Sequence, residues 1–350
     1  AVVTTFIMGT LSDKLDRRKI FISGGYIIWG FTVAVFAFIS RENIGKLFNI
    51  SDTSKVVAAT VCVVIIMDCV MTFFGSTSND AAFNAWVTDV TVPENRGTAE
   101  AVLALLPVFA TVIVTVAFGV GVEAAGYPAC FMFLGALVTI CGIIGLFSVK
   151  DPRKGVKQST NYFSDLIYGF RPSVIKNNAA LYLCLASACI FNTAVQVFMP
   201  YIFIYVQHYL KFDLNTFQIT TPIIIGGAAA VVGLVVVTIL LGKLLDKVGK
   251  RIFVFPAVLL FVAGLVAVFF AKTLLTFVLF ALIMILGYGL LMIILNATVR
   301  DYTPEDKVGQ FQGVRLLFTV TLPMIIGPKV GSWTISEFSG RYELGTMLNE

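Results

Sequence analysis

Gly242-Lys-Leu-Leu-Asp246-Lys247-Val-Gly249-Lys250-Arg251 decides the architecture, because the chain contains it twice. The earlier copy is Gly9-Thr-Leu-Ser-Asp13-Lys14-Leu-Asp16-Arg17-Arg18-Lys19. Each copy is a short basic stretch between apolar runs, with a glycine four residues ahead of an aspartate. A second loop repeats in the same order. Asp89-Val-Thr-Val-Pro93-Glu94-Asn-Arg96-Gly97 follows the first copy, and Asp301-Tyr-Thr-Pro304-Glu305-Asp-Lys307-Val-Gly309 follows the second. In both, eight positions separate the aspartate from the glycine. Two different loops repeated in one order imply an internal duplication.

The segments around these loops are lipid-facing by composition. Of 350 residues, 58% are apolar and 13% charged, and the mean hydropathy is +0.92. A soluble domain carries roughly a quarter charged residues. A membrane span needs about 20 apolar residues. Runs of that kind lie near 20–40, 58–88, 98–122, 127–148, 179–206, 217–241, 252–271, 275–299 and 311–334. The short run at 1–8 reads as the tail of another span, and the sequence after Gly340-Arg341-Tyr342-Glu343 has no closing one. The expectation is an all-α membrane protein cut short at both ends.

Loop charge gives an orientation. Loops 9–19, 89–97, 150–178, 242–251 and 300–310 hold most of the 25 lysines and arginines, so they are expected in the cytosol. Residues 150–178 form the longest polar stretch and divide 1–149 from 179–350, each expected to be a helical bundle. Within that stretch Asp165–Arg171 reads as a short amphipathic helix at the interface. The net charge of +5 does not indicate nucleic acid, because the basic residues sit in short loops rather than on one face. The six cysteines, Cys62, Cys69, Cys130, Cys141, Cys184 and Cys189, lie in apolar stretches and read as small buried hydrophobes. With one histidine, His208, and no paired cysteine spacing, no metal site is expected.

The two basic loops resemble the G-x-x-x-D-[RK]-x-G-[RK]-[RK] signature of the major facilitator superfamily. The second copy matches at every defined position; the first carries Asp16 where glycine is usual. The resemblance implies a fold of two pseudo-symmetric six-helix bundles, with this chain supplying about spans 2–11 of 12. It also implies a gate built from Gly9, Asp13, Arg17, Arg18, Asp89 and Arg96, with Gly242, Asp246, Lys250, Arg251 and Asp301 as counterparts. In the family the arginine at the position of Arg17 pairs with the acid at the end of span 4, here Asp89. Lys14, Lys19 and Lys247 read as plain positive-inside anchors.

Ionisable groups inside spans are costly and point to function. Asp68 and Asp80 fall in span 4, Glu123 at the outer end of span 5, and Arg315 near the start of span 11. Asp80 lies roughly 13 Å inward of Asp89 at about 1.5 Å per residue, near mid-membrane; Asp68 lies near the outer face. Helical spacing puts Thr77, Asp80 and Asn84 on one face, with Asn79 beside them. Trp86 reads as a sugar-stacking ring or an interface-belt tryptophan. The stretch from Asp80 through Val87 to Arg96 is similar to the glycoside–pentoside–hexuronide:cation symporters, the melibiose carriers among them, although Ala82 replaces a family proline. In those carriers the acid aligned with Asp80 takes part in sugar binding. Asn192 and Gln196 in span 7 are further candidates for the cavity, along with Tyr201, Tyr205, Tyr288 and Asn296.

The resulting expectation is a secondary active transporter of the cell membrane. It works by alternating access as a monomer, taking up a sugar or glycoside with H⁺ or Na⁺ and using no other cofactor. Its partners are that solute and membrane lipid. A drug/proton antiporter is the main rival, disfavoured because span 5 has Pro107 but no G-P-x-x-G. A non-transporting sensor would not need a buried Asp80. An enzyme lacks support, since no nucleophile–base pair, metal cluster or phosphate loop is present.

Overall fold

The computed structural model describes residues 1–119, 121–151, 162, 166–210 and 221–338, and among them there is no strand. Lipid offers no hydrogen-bond partners, so a spanning backbone must satisfy its own N–H and C=O groups within a helix. Eight helices among the described residues are long and apolar enough to cross a membrane.

In chain order the main helices are α1 (Val2–Leu15), α2 (Ile20–Phe38), α3 (Arg41–Phe48), α4 (Thr53–Val90), α5 (Arg96–Gly119) and α6 (Gly121–Ser148). There follow α7 (Pro172–Asn177), α8 (Ala179–Tyr201), α9 (Thr221–Val248), α10 (Lys250–Phe269), α11 (Leu274–Tyr302) and α12 (Glu305–Glu337). These account for every apolar run read from the sequence. Residues 217–220 of one run, and the polar tail from 339 onward, lie outside the described residues. Large apolar side chains stand outward, as a lipid-facing surface requires. Phe147 is 83% exposed, Ile190 72% and Leu183 70%.

The helices α1, α2, α4, α5 and α6 pack among themselves, and so do α8 to α12. Between the two groups the strongest contacts are α1 with α12 and α9 with α5. In each group, then, the helix carrying the basic loop at its end packs on the helix that follows the second repeated loop in the other group. The sequence duplication appears in space as a two-fold arrangement.

Two local departures matter for the site. Residues Ser76–Phe83 of α4 form a wide π turn. Such turns insert a residue and shift the phase of everything beyond them. At the central loop, the helix expected at Asp165–Arg171 does not run through to Arg171, although Leu166 is helical. Asp165 is outside the described residues; Tyr168–Phe170 is a single 3-10 turn, and α7 begins at Pro172. Proline fixes its own backbone and disfavours helix in the residue before it, which accounts for the break. The turn wedges Phe170 against Phe6 of α1, with ring centroids 5.5 Å apart, and Tyr168 against Phe311 of α12 at 6.2 Å. Lys307 Nζ caps the Tyr168 ring at 3.4 Å.

Candidate functional site

The basic loops close one end of the bundle by two equivalent contacts. Asp13, at the end of α1, accepts hydrogen bonds from the backbone N–H of Gly309 at 3.0 Å and of Gln310 at 2.8 Å. Asp246, at the end of α9, accepts from Gly97 N at 2.8 Å, Thr98 N at 2.8 Å and Thr98 Oγ1 at 2.6 Å. First-turn amides have no partner within their own helix, and the positive helix end attracts a carboxylate. Each aspartate belongs to one group of helices and each helix start to the other, so both contacts cross between groups. Gly9 and Gly309 make the approach possible: a Cβ on either would collide with the backbone oxygen of the other.

Within each group a basic residue reinforces the closure, but the two copies differ. Arg18 Nε donates to Asp89 at 3.1 Å, and the same guanidinium pairs with Asp13 and bonds Ser12 Oγ. Arg17, expected in that role, is exposed. In the second copy Lys250, the counterpart of Arg17, pairs with Asp301, and Arg251 is exposed. The preceding turn explains the slip of one residue. Gly249 takes φ 104, ψ 136, and the helix resumes at Lys250. Asp16 stands in its place with φ 50, ψ 37, a left-handed conformation that aspartate tolerates. A side chain is excluded from the region glycine reaches, so the turn runs one residue longer and the helix resumes at Arg18. Burial opposes the charge on Arg18, but Asp13 and Asp89 outweigh it and hold its pKa above the ordinary arginine value. Arg96 of α5 crosses to Asp301 of α11 at 3.1 Å.

One turn further in lies another connection between the groups. Arg300 of α11, 2% exposed, donates through Nε to Glu100 of α5. Its Nη1 donates to Asn84 O at 2.6 Å and Thr88 Oγ1 at 2.7 Å, and its Nη2 to Asn84 Oδ1 at 3.0 Å. This cluster forms the floor of a cavity of about 510 Å³ between α4, α5, α9, α11 and α12. The lining carries the polar and charged residues Asn79, Asn84, Glu100, Thr238, Tyr288, Asn296, Arg300 and Arg315, and the rest of it is apolar, with Leu103, Pro107, Leu234, Leu241, Ile285 and Leu290. From Arg300 to Ile285 the cavity follows α11 for roughly 22 Å at about 1.5 Å per residue.

Comparison with known proteins agrees with this geometry. A family model of the major facilitator superfamily matches residues 1–328. The chain belongs to the major facilitator superfamily. Among solved structures, the crystal structure of the human organic anion transporter MFSD10 (TETRAN) superposes with a TM-score of 0.62. The identity is 14%, over 95% of this chain and 75% of that one. At that identity the match speaks for the fold alone. A comparison with curated proteins returns no match.

On this superfamily scaffold the sequence-expected residues scatter. Asn79 and Asn84 line the cavity, five residues apart rather than three or four, joined by a bond from Asn84 Nδ2 to Asn79 O at 3.1 Å. That spacing is the signature of the π turn, and it overturns the expected common face of Thr77, Asp80 and Asn84. Thr77 turns back to Phe73 O at 2.7 Å. Asp80 is not among the lining residues; it accepts from Asn79 Nδ2 at 3.1 Å, and Asn79 Oδ1 accepts from Tyr26 of α2 at 3.1 Å. Asp68 is exposed on α4. Trp86 donates to Lys150 O at 2.9 Å and stacks on Phe83, as an edge residue would. Asn192 bonds Ala188 O in its own helix, and Gln196 packs against Gly327 of α12. The side chain of Glu123 lies outside the described residues.

Tyr288, Asn296 and Arg315, also singled out from the sequence, do line the cavity. Glu100 and Arg300 were missed. Their signal was position: each ionisable residue sits within a turn of a repeated loop, Glu100 after Arg96 and Arg300 directly before Asp301.

Proposed function

We propose that this chain carries a small amphipathic solute across a membrane by alternating access, with the basic loops on the cytoplasmic side. The observation behind the reading is the cavity itself. It is shared between two groups of helices, and its closed end is held by the Asp13, Asp246, Arg96 and Arg300 contacts that cross between those groups. Breaking them lets the groups rock apart at that end, the usual means by which a domain pair exposes a central site. The mixed lining suits a solute with an apolar body and one polar pole, and the structural neighbour is by name an organic anion transporter. With no phosphate-binding loop in the sequence, an H⁺ or Na⁺ gradient is the proposed energy source.

A sugar or glycoside taken up with a cation is the second reading. Three carboxamides on the wall, Asn79, Asn84 and Asn296, favour it, since such groups both donate to and accept from hydroxyls. The test is uptake by the full-length protein in proteoliposomes, with imposed H⁺ or Na⁺ gradients and a panel of labelled aromatic carboxylates and glycosides. Accumulation of an amphipathic solute above equilibrium, abolished by an ionophore, is expected. Gradient-driven accumulation of glycosides alone would select the second reading, and no gradient-driven flux of any solute would defeat both.

A further inference from the structure

The charges on the cavity wall do not balance. Among the described lining residues, Glu100 is the acid and Arg300 and Arg315 are the bases. Glu100 is committed to Arg300 through the Nε bond, and Arg300 places three further donors on Asn84 and Thr88. In the next cluster toward the basic end, outside the cavity wall, Asp301 pairs with both Arg96 and Lys250, and Arg96 Nε is buried with no hydrogen-bond partner among the described residues. Arg315 is left over. Its Nη2 donates to Asn296 Oδ1 at 2.9 Å, and its Nη1 is buried with no hydrogen-bond partner among the described residues.

An unmatched guanidinium is expensive in a water-poor setting, where buried charges are ordinarily paired. A guanidinium offers donors in a planar fork that fits a carboxylate. Asn296 contributes as well. Because its Oδ1 already accepts from Arg315, its amide nitrogen is left to donate beside the same guanidinium. We infer that Arg315, with Asn296, is the anchor for a negatively charged group of the solute, and that the solute is an organic monoanion. The apolar wall along Leu103, Pro107, Ile285 and Leu290 takes its body. Bound there, one negative charge neutralises the excess positive charge of the lining. This assignment rests on the amphipathic-solute reading above and specifies its polar pole.

The experiment compares two probes of nearly one shape, hippurate and its neutral amide, hippuramide. Equilibrium binding of each radiolabelled compound is measured on the full-length protein in detergent. The parent should bind hippurate at least about 10-fold more tightly, the size expected when a charge-assisted hydrogen bond is lost. Arg315→Gln should abolish that preference. Arg315→Lys keeps the charge without the fork, so it should retain part of the preference, and its melting curve serves as the check on folding. Equal binding of the two compounds by the parent, or a preference that survives Arg315→Gln, would overturn the anchor while leaving the amphipathic-solute reading standing. If neither compound binds at millimolar concentration, that reading falls and the anchor falls with it.

Discussion

Arg18 serves two carboxylates at once, and Arg17 beside it serves none among the described residues. Removing one member of a buried ion-pair cluster leaves the others uncompensated, at a cost of about 3–5 kcal/mol. Arg18→Ala should therefore lower the melting temperature of the purified protein markedly, whereas Arg17→Ala, an exposed change, should stay within roughly 0.5 kcal/mol of the parent. A thermal melt of the two variants checks this; equal losses would mean that the two arginines share the contact. The same pair marks how far sequence reading carries at this scale. The motif placed a basic residue against Asp89 correctly in kind. It did not tell Arg17 from Arg18, because the choice depends on whether a turn is made by glycine or by aspartate in a left-handed conformation. Arg300 and Glu100 were harder still. They are 200 positions apart, and each taken alone reads as a loop charge or a helix end.

At the scale of elements, hydropathy located the spanning helices because lipid leaves the backbone no alternative to helix. Phase inside a helix was not legible in the same way. Three- and four-residue spacing assumes an unbroken α-helix, and the π turn at Ser76–Phe83 brings Asn79 and Asn84 to the cavity while Asp80 stays off its wall. Close approach between elements was visible in the repeated glycines, but not which helices they bring together. The contact of Gly9 with Gly309 gives that point a test. A methyl on Gly309 would stand 2.7 Å from Asp13 Oδ1, so Gly309→Ala must push α1 away from the start of α12. Asp13 then no longer holds the first-turn amides. Loss of these charge-assisted bonds, about 1.5–3 kcal/mol, should speed hydrogen exchange at residues 308–312 by roughly 10- to 100-fold. Unchanged exchange there would show that the helix start is held by something other than Asp13.

The whole molecule is organised by its duplication. Asp13 against α12 and Asp246 against α5 are the same contact made twice, once in each direction between the two groups of helices. Above them the Arg300–Glu100 pair joins the groups at the cavity floor. The central claim is that these crossings form a latch that holds the basic end shut and yields to an open state. Electron–electron distance spectroscopy tests it directly. Spin labels go on cysteines at Arg17 and Lys247, both exposed at the basic end on opposite groups, with the six native cysteines replaced by serine. The background protein should give one dominant short distance. Adding Asp13→Asn with Asp246→Asn removes both carboxylate charges from the helix starts, and a second, longer distance should then become populated. A distance distribution unchanged by that double substitution would contradict the latch.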